Sequence, residues 1–236
     1  MTTPQTEGVI TPERFAKGRT FEEYLTYLGS PANLDRESSS GGARRDFSDF
    51  LRKQYEGARL DEAQTAAFQW IAAQPGAPRK LLVIAEDWSS DCRRDIPTFA
   101  RIAEVAGLEL RFFDRDGAKT SHMRPDHAQD PDGNADLMAP FLNRKEGEAY
   151  QSIPVAVFLT GEFRYVYHYT EYPKVYEKDL LLSRMRAARP GESEEQALER
   201  FPKDFADLQA SPFFRVWACA AADEIISELH RRFAYV

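Results

Sequence analysis

The stretch "WSSDC", Trp88 to Cys92, is where this sequence could carry covalent chemistry, because it sets a cysteine just beyond an apolar run, Leu81-Leu82-Val83-Ile84-Ala85. A short run of branched apolar residues bounded by charge suits a buried strand. A strand that turns into a helix presents backbone N–H groups and the positive end of a helix dipole to a thiol there, and both favour the thiolate. Arg93 and Arg94 would add to that effect and Asp91 would oppose it. Burial would instead raise the pKa of Cys92 and leave an inert small hydrophobe. From the residues alone both outcomes are open.

Other groups carry weaker chemistry. "DPDGNAD" places Asp130, Asp132, Asn134 and Asp136 at alternate positions, as in calcium loops, but Ala135 and Phe141 stand where a glycine and a bidentate glutamate are needed. A turn with Asp132 or Asn134 capping a following helix is the plainer reading. His122 and His127 share a polar loop with Asp126, a set that fits either a metal or proton-transfer site or a solvated loop. No metal or cofactor is expected. His168 lies on a strand face with Arg164 and Val166, opposite an aromatic row of Phe163, Tyr165, Tyr167 and Tyr169 that continues to Tyr172 and Tyr176. That row reads as core packing, or as a partner surface if half exposed. Cys219 sits among Phe213, Val216, Trp217, Ala220 and Ile225 at helical spacing and reads as a core thiol; only geometry can decide a disulfide with Cys92.

The elements that position these groups follow from periodicity and breakers. Thr20 and Glu23 form a capping box ahead of a helix through Leu28. "SPANLDRESSSGGAR" (30–44) is rich in Ser, Gly and Pro and reads as a flexible connection. Two helices follow, one carrying Phe47, Phe50, Leu51 and Tyr55, the next opened by Asp61 and carrying Phe68, Trp70 and Ile71. Strand 80–85, a helix from about Cys92 to Ala106 and strand 108–114 make a βαβ unit with parallel strands. After a polar loop (115–133) a helix spans 135–142, with Pro140 in its last turn. Runs 153–159 and 163–169, joined at Thr160-Gly161-Glu162, read as an antiparallel hairpin. Three helical pieces complete the chain, about 173–188, 193–209 and 213–233, with Pro202 a candidate interruption of the second.

These residues resemble the thioredoxin superfamily over about Arg79 to Tyr169. Trp88-Ser89-Ser90-Asp91-Cys92 occupies the place of the W-C-x-x-C motif, Pro97 stands where the first helix of the family carries a kinking proline, and "SIPVAVFLTGEF" resembles the strand opened by a cis proline and its hairpin turn. More narrowly, Glu86-Asp87-Trp88 with Asp91, Ile96-Pro97 and the "RDG" after the second strand resemble a bacterial group of thioredoxin-like proteins. The resemblance implies an α/β fold of three layers, α/β/α, around a central mixed sheet, extended by N-terminal and C-terminal helices. It divides the chain into an N-terminal extension (1–75), a thioredoxin-like core (76–190) and C-terminal helices (191–236) that pack as one globular unit or make a homodimer.

Two departures bear on activity. Ser89 stands at the position of the nucleophilic cysteine, and disulfide exchange needs an attacking thiolate and a second, resolving thiol. Val83 stands where the family places a buried Asp. An ordinary dithiol cycle is therefore excluded for this chain alone. Two functions are left. One is a monothiol redox role, with Cys92 forming a mixed disulfide or reacting with a peroxide and Ser89 stabilising its thiolate. The other is a non-catalytic module that binds a peptide or protein partner in the cis-proline groove, with Trp88, Ser90, Asp91, Ile153 and Pro154 as its contacts.

Composition narrows the partners. A net charge of −7, from 31 Lys plus Arg against 38 Asp plus Glu, gives no electrostatic reason to expect nucleic acid or an anionic membrane. No apolar run approaches the roughly 20 residues of a membrane span. The stretch from Met1 to Gly8 lacks the apolar segment of a signal peptide, and only two cysteines are present, so a cytoplasmic location is expected.

Overall fold

The computed structural model describes residues 4–39 and 42–234. Residues 1–3, from the polar start of the chain, and 40 and 41, from the expected connection, lie outside the described residues.

Three short or medium helices come first: α1 (Pro12–Ala16), α2 (Phe21–Leu28) and α3 (Pro31–Leu34). The Thr20 side chain and Glu23 close a reciprocal capping box on α2. Next come α4 (Ser48–Gly57) and α5 (Glu62–Ala72), then β1 (Lys80–Ala85), α6 (Ser90–Ala106) and β2 (Glu109–Asp114). Beyond the polar loop lie α7 (Ala135–Met138), β3 (Asn143–Lys145), β4 (Glu148–Tyr150), β5 (Val155–Leu159) and β6 (Tyr165–Thr170). The chain ends in α8 (Lys178–Arg186), α9 (Glu194–Ala210) and α10 (Pro212–Phe233).

The main sheet runs in the order β2-β1-β5-β6. Strands β1 and β2 are parallel, Lys80 opposite Glu109 through Ala85 opposite Asp114, while β5 runs antiparallel to both β1 and β6. This is a mixed sheet of thioredoxin-like topology. Residues 81–85 of β1 and all of β5 are buried, which requires cover on both faces and explains why these strands read as unbroken apolar runs. Helix α6 packs with α4, α5 and α10, and α2 stacks Tyr24 on Phe112 of β2 with ring centres 4.7 Å apart. Gly107 closes α6 at φ +65°, where Leu108 donates to the Ala103 carbonyl in the manner of a Schellman cap.

Several expectations are corrected. The described residues of the 30–44 stretch, 30–39 and 42–44, are not a free connection: they contain α3 and a bridge between Glu37 and Ala43, and Arg36 and Arg44 are buried. Composition pointed to flexibility, but ion pairs to the core hold them. The 135–142 helix stops at Met138 and tightens into a 3-10 turn over Ala139–Phe141, as Pro140 lacks the N–H for a longer helix. Asn134 does not cap that helix with its side chain; its amide donates to the Asp114 carbonyl at 2.8 Å. The β3–β4 hairpin was not foreseen, because "NRKEGEAY" has no apolar alternation. Its register comes from Glu146 and Gly147, whose φ values of +52° and +86° suit a two-residue primed turn. The 173–188 helix breaks at Glu177, and Pro202 does not interrupt α9.

Candidate functional site

Strand β1 delivers Glu86, Asp87 and Trp88 to the start of α6, and Ser89 caps that helix. Its hydroxyl accepts from the Cys92 backbone N–H at 3.4 Å. Cys92 is 0% exposed, and its Sγ accepts from the Glu86 N–H at 3.5 Å. Burial pushes its thiol up to about 12, against the smaller opposing effect of the hydrogen bonds from Glu86 and Ser89. The helix start that could have made this thiol reactive is outweighed by desolvation. Cys219, half-buried in α10, is also a free thiol raised by burial.

The remaining expected contacts are mostly covered. Ser89, Asp91, Ile153 and Pro154 are buried, whereas Trp88 and Ser90 keep partial exposure. The Ile153–Pro154 peptide is cis, and the Pro154 carbonyl accepts the Glu171 N–H at 2.8 Å. Asp91 is held by Arg94 at 2.7 Å and by Lys178 from α8. Arg94 in turn forks onto Asp95, which also accepts from Tyr169 at 2.9 Å.

Sequence reasoning missed a buried ionic network around the same turn. Glu86 accepts from Arg36 at 2.9 Å, from Arg44 at 2.8 Å and from the Asp116 N–H at 2.7 Å. Asp87 accepts from Arg44 at 2.6 Å and from Asn33 at 2.8 Å. Burial, with Asp114 close by, pushes the Glu86 carboxyl up to about 7, and the two guanidinium groups oppose that rise. Arg115, 1% exposed, forks onto Asp116, donates to the Gln151 carbonyl at 3.1 Å and lies 5.2 Å from the Trp88 ring centre. It thereby ties the end of β2 to the segment before Pro154. One signal could have revealed the network: two acids directly after a fully buried strand are themselves buried, and buried charges need partners.

Beside Trp88 the surface opens into a cleft of about 360 Å³ between residues 38–39 and 42–47 on one side and α6 on the other, walled by Arg44, Arg45, Phe47, Asp87 and Arg93. Arg93 lays its guanidinium 4.2 Å from the Phe47 ring centre. The other candidate groups do not join this site. The His122 and His127 rings stack at 4.2 Å, with Asp126 at 4.0 Å from His127. Among the described residues no group of three or more His, Cys, Asp and Glu is arranged to hold a metal. His168 meets the Tyr165 hydroxyl at 2.7 Å, and burial pushes it down to about 4. Among the described residues no helix is long and apolar enough to cross a membrane.

A family model and one solved structure agree with this architecture. The thioredoxin family model matches residues 47–131, a span that contains the Trp88–Cys92 motif. The crystal structure of an HIV epitope scaffold, 4E10, superposes over 93% of this chain and 96% of its own, with 15% identity and a TM-score of 0.51, a likeness of fold. A crystal structure of a protein of unknown function from Pseudomonas aeruginosa superposes over 92% of this chain and 95% of its own, with 15% identity and a TM-score of 0.49. No curated protein matches the sequence.

Proposed function

We propose that this thioredoxin-like protein is a binding module that holds a partner beside Trp88 without covalent chemistry. The observation that carries this reading is the burial of Cys92: a thiol with no solvent contact and a pKa raised to about 12 has almost no thiolate at neutral pH. Ser89 supplies no second thiol, so neither attack nor resolution has a group to perform it. A one-cysteine redox role would need the turn at 89–92 to open, against the ion pairs that Arg94 and Lys178 make to Asp91.

The location of binding follows from what is open. Ile153 and Pro154 are buried, and an extended peptide laid along them would compete with the Glu171 N–H for the Pro154 carbonyl. Trp88 instead faces a cleft, and its ring joins Phe47 in offering apolar area there.

The test is the pH dependence of iodoacetamide labelling of the folded protein, with Cys219→Ser isolating the Cys92 signal. The expected result is no labelling of Cys92 below about pH 9 until the protein is unfolded. Rapid labelling with a midpoint below the free-thiol value of about 8.5 would overturn the reading.

A further inference from the structure

The cleft beside Trp88 has a chemical bias that the binding-module reading does not by itself require. Arg44 donates through Nη1 to Glu86 and Asp87, and Arg36 pairs with Glu86 from the other side and with Asp114 at 3.4 Å, so both arginines are engaged by carboxylates. Arg93 and Arg45 are left over. Among the described residues Arg93 donates only to neutral acceptors, the Asp87 and Trp88 carbonyls at 2.8 Å each and the Gln209 side chain at 3.2 Å. Arg45 is exposed and makes no ion pair among the described residues. Asp87, which also lines the cleft, is taken up by Arg44, so among the described residues the cleft carries two guanidinium groups that no carboxylate pairs, on a chain whose net charge is −7.

Two of the residues that line the cleft also carry unpaired donors. Arg44 Nη2 and Trp88 Nε1 are buried, and neither has a hydrogen-bond partner among the described residues. Buried donors are ordinarily satisfied, so two orphans on residues lining one cationic cleft mark a place where an acceptor is missing. Guanidinium forks match the paired oxygens of carboxylates and phosphates, and the Trp88 and Phe47 rings suit a flat apolar body. A volume of about 360 Å³ is that of a small organic molecule.

We propose that this cleft binds a small organic oxyanion, a carboxylate or phosphate monoester borne on a flat apolar group. The proposal rests on the binding-module reading and names the ligand class for the same site. Arg45 and Arg93 supply the charge, and the ligand oxygens turn toward the Arg44 and Trp88 donors.

The experiment titrates the full chain at low salt with phenyl phosphate, benzoate and inorganic phosphate, by calorimetry and by the indole N–H signals of its three tryptophans, Trp88→Phe assigning one of them. Saturable binding of phenyl phosphate or benzoate is expected, tighter than that of inorganic phosphate, with the Trp88 signal moving. Whichever aromatic anion binds more tightly identifies the head group. Arg93→Gln should weaken binding by about tenfold or more, as expected for loss of a charge-assisted fork. Arg45→Glu, at an exposed position that cannot unfold the core, should do the same.

Absence of saturable binding by all three anions would overturn the proposal. So would binding that Arg45→Glu leaves unchanged, or that moves only the Trp70 or Trp217 signal. If the anions fail while Cys92 stays unlabelled, the ligand class falls and the binding-module reading stands. If Cys92 labels rapidly, that reading falls whatever the anions do.

Discussion

Glu86 and Cys92 are joined across the strand-to-helix turn: the Glu86 N–H points at Cys92 Sγ, 3.5 Å away, while the Glu86 carboxylate faces Arg36 and Arg44. One residue thus seats the sulfur through its backbone and anchors residues 31–39 and 42–45 through its side chain. The sulfur is a packing element. Cys92→Ala should cost about 1–3 kcal/mol of stability, a usual range for a buried truncation, and leave binding of phenyl phosphate or benzoate unchanged. Urea unfolding and calorimetry check the two halves; loss of binding in a folded Cys92→Ala would return chemistry to the thiol.

Arg44 bridges two buried acids, and removing one partner of a buried ion pair leaves a charge stranded. Arg44→Met is expected to destabilise by about 3–5 kcal/mol. In a double-mutant cycle with Asp87→Asn the second substitution should cost much less than it does alone, because the stranded charge has gone. Equal, additive costs would mean that the pair is not coupled.

His168 sets a pH dependence. Its pKa falls from 6.5 to about 4 on folding, because burial disfavours the imidazolium and Arg232 repels it. The unfolded chain then binds the proton more readily between those values, so stability is full above about pH 6.5 and is lost as pH falls toward 4. Urea midpoints at pH 7 and pH 4.5 should differ more for the native chain than for His168→Gln. The same pH slope in both proteins would rule His168 out as the source.

Helix α9 buries only Ala197 of its 17 residues and packs on α8 and α10 rather than on the sheet. Segments with few buried contacts open locally at low cost. Limited trypsin digestion should therefore cut first at Arg184 or Arg186, near the exposed α8–α9 connection, before any cut inside 79–170. An early cut within the sheet region would contradict this order.

The sheet was legible because its signals are local. "KLLVIA", "ELRFFD" and "VAVFL" are short apolar or mixed runs with clear breakers, and each forms a strand within a residue or two of its expected bounds. The β3–β4 hairpin and residues 31–39 and 42–45 were illegible because polar residues carry them, and they are held by partners far away in sequence. The site was legible in identity and illegible in environment. Trp88, Ser89 and Cys92 announce themselves by spacing, but whether a thiol at a helix start is exposed depends on what packs over it. Here Lys178, 87 positions away from Asp91, helps to close that turn.

The pairing of Arg36 and Arg44 with Glu86 and Asp87 also constrains how this chain can change over time. Each of the four is tolerable inside the protein only while its counterpart is present, so single replacements pass through a form with a stranded charge. Diverging relatives should keep all four or exchange them together for neutral residues. The acidic pair ahead of Trp88 and the arginines of the segment before α4 would then appear in family alignments as one inherited unit, even though 42 to 50 positions of chain separate the partners.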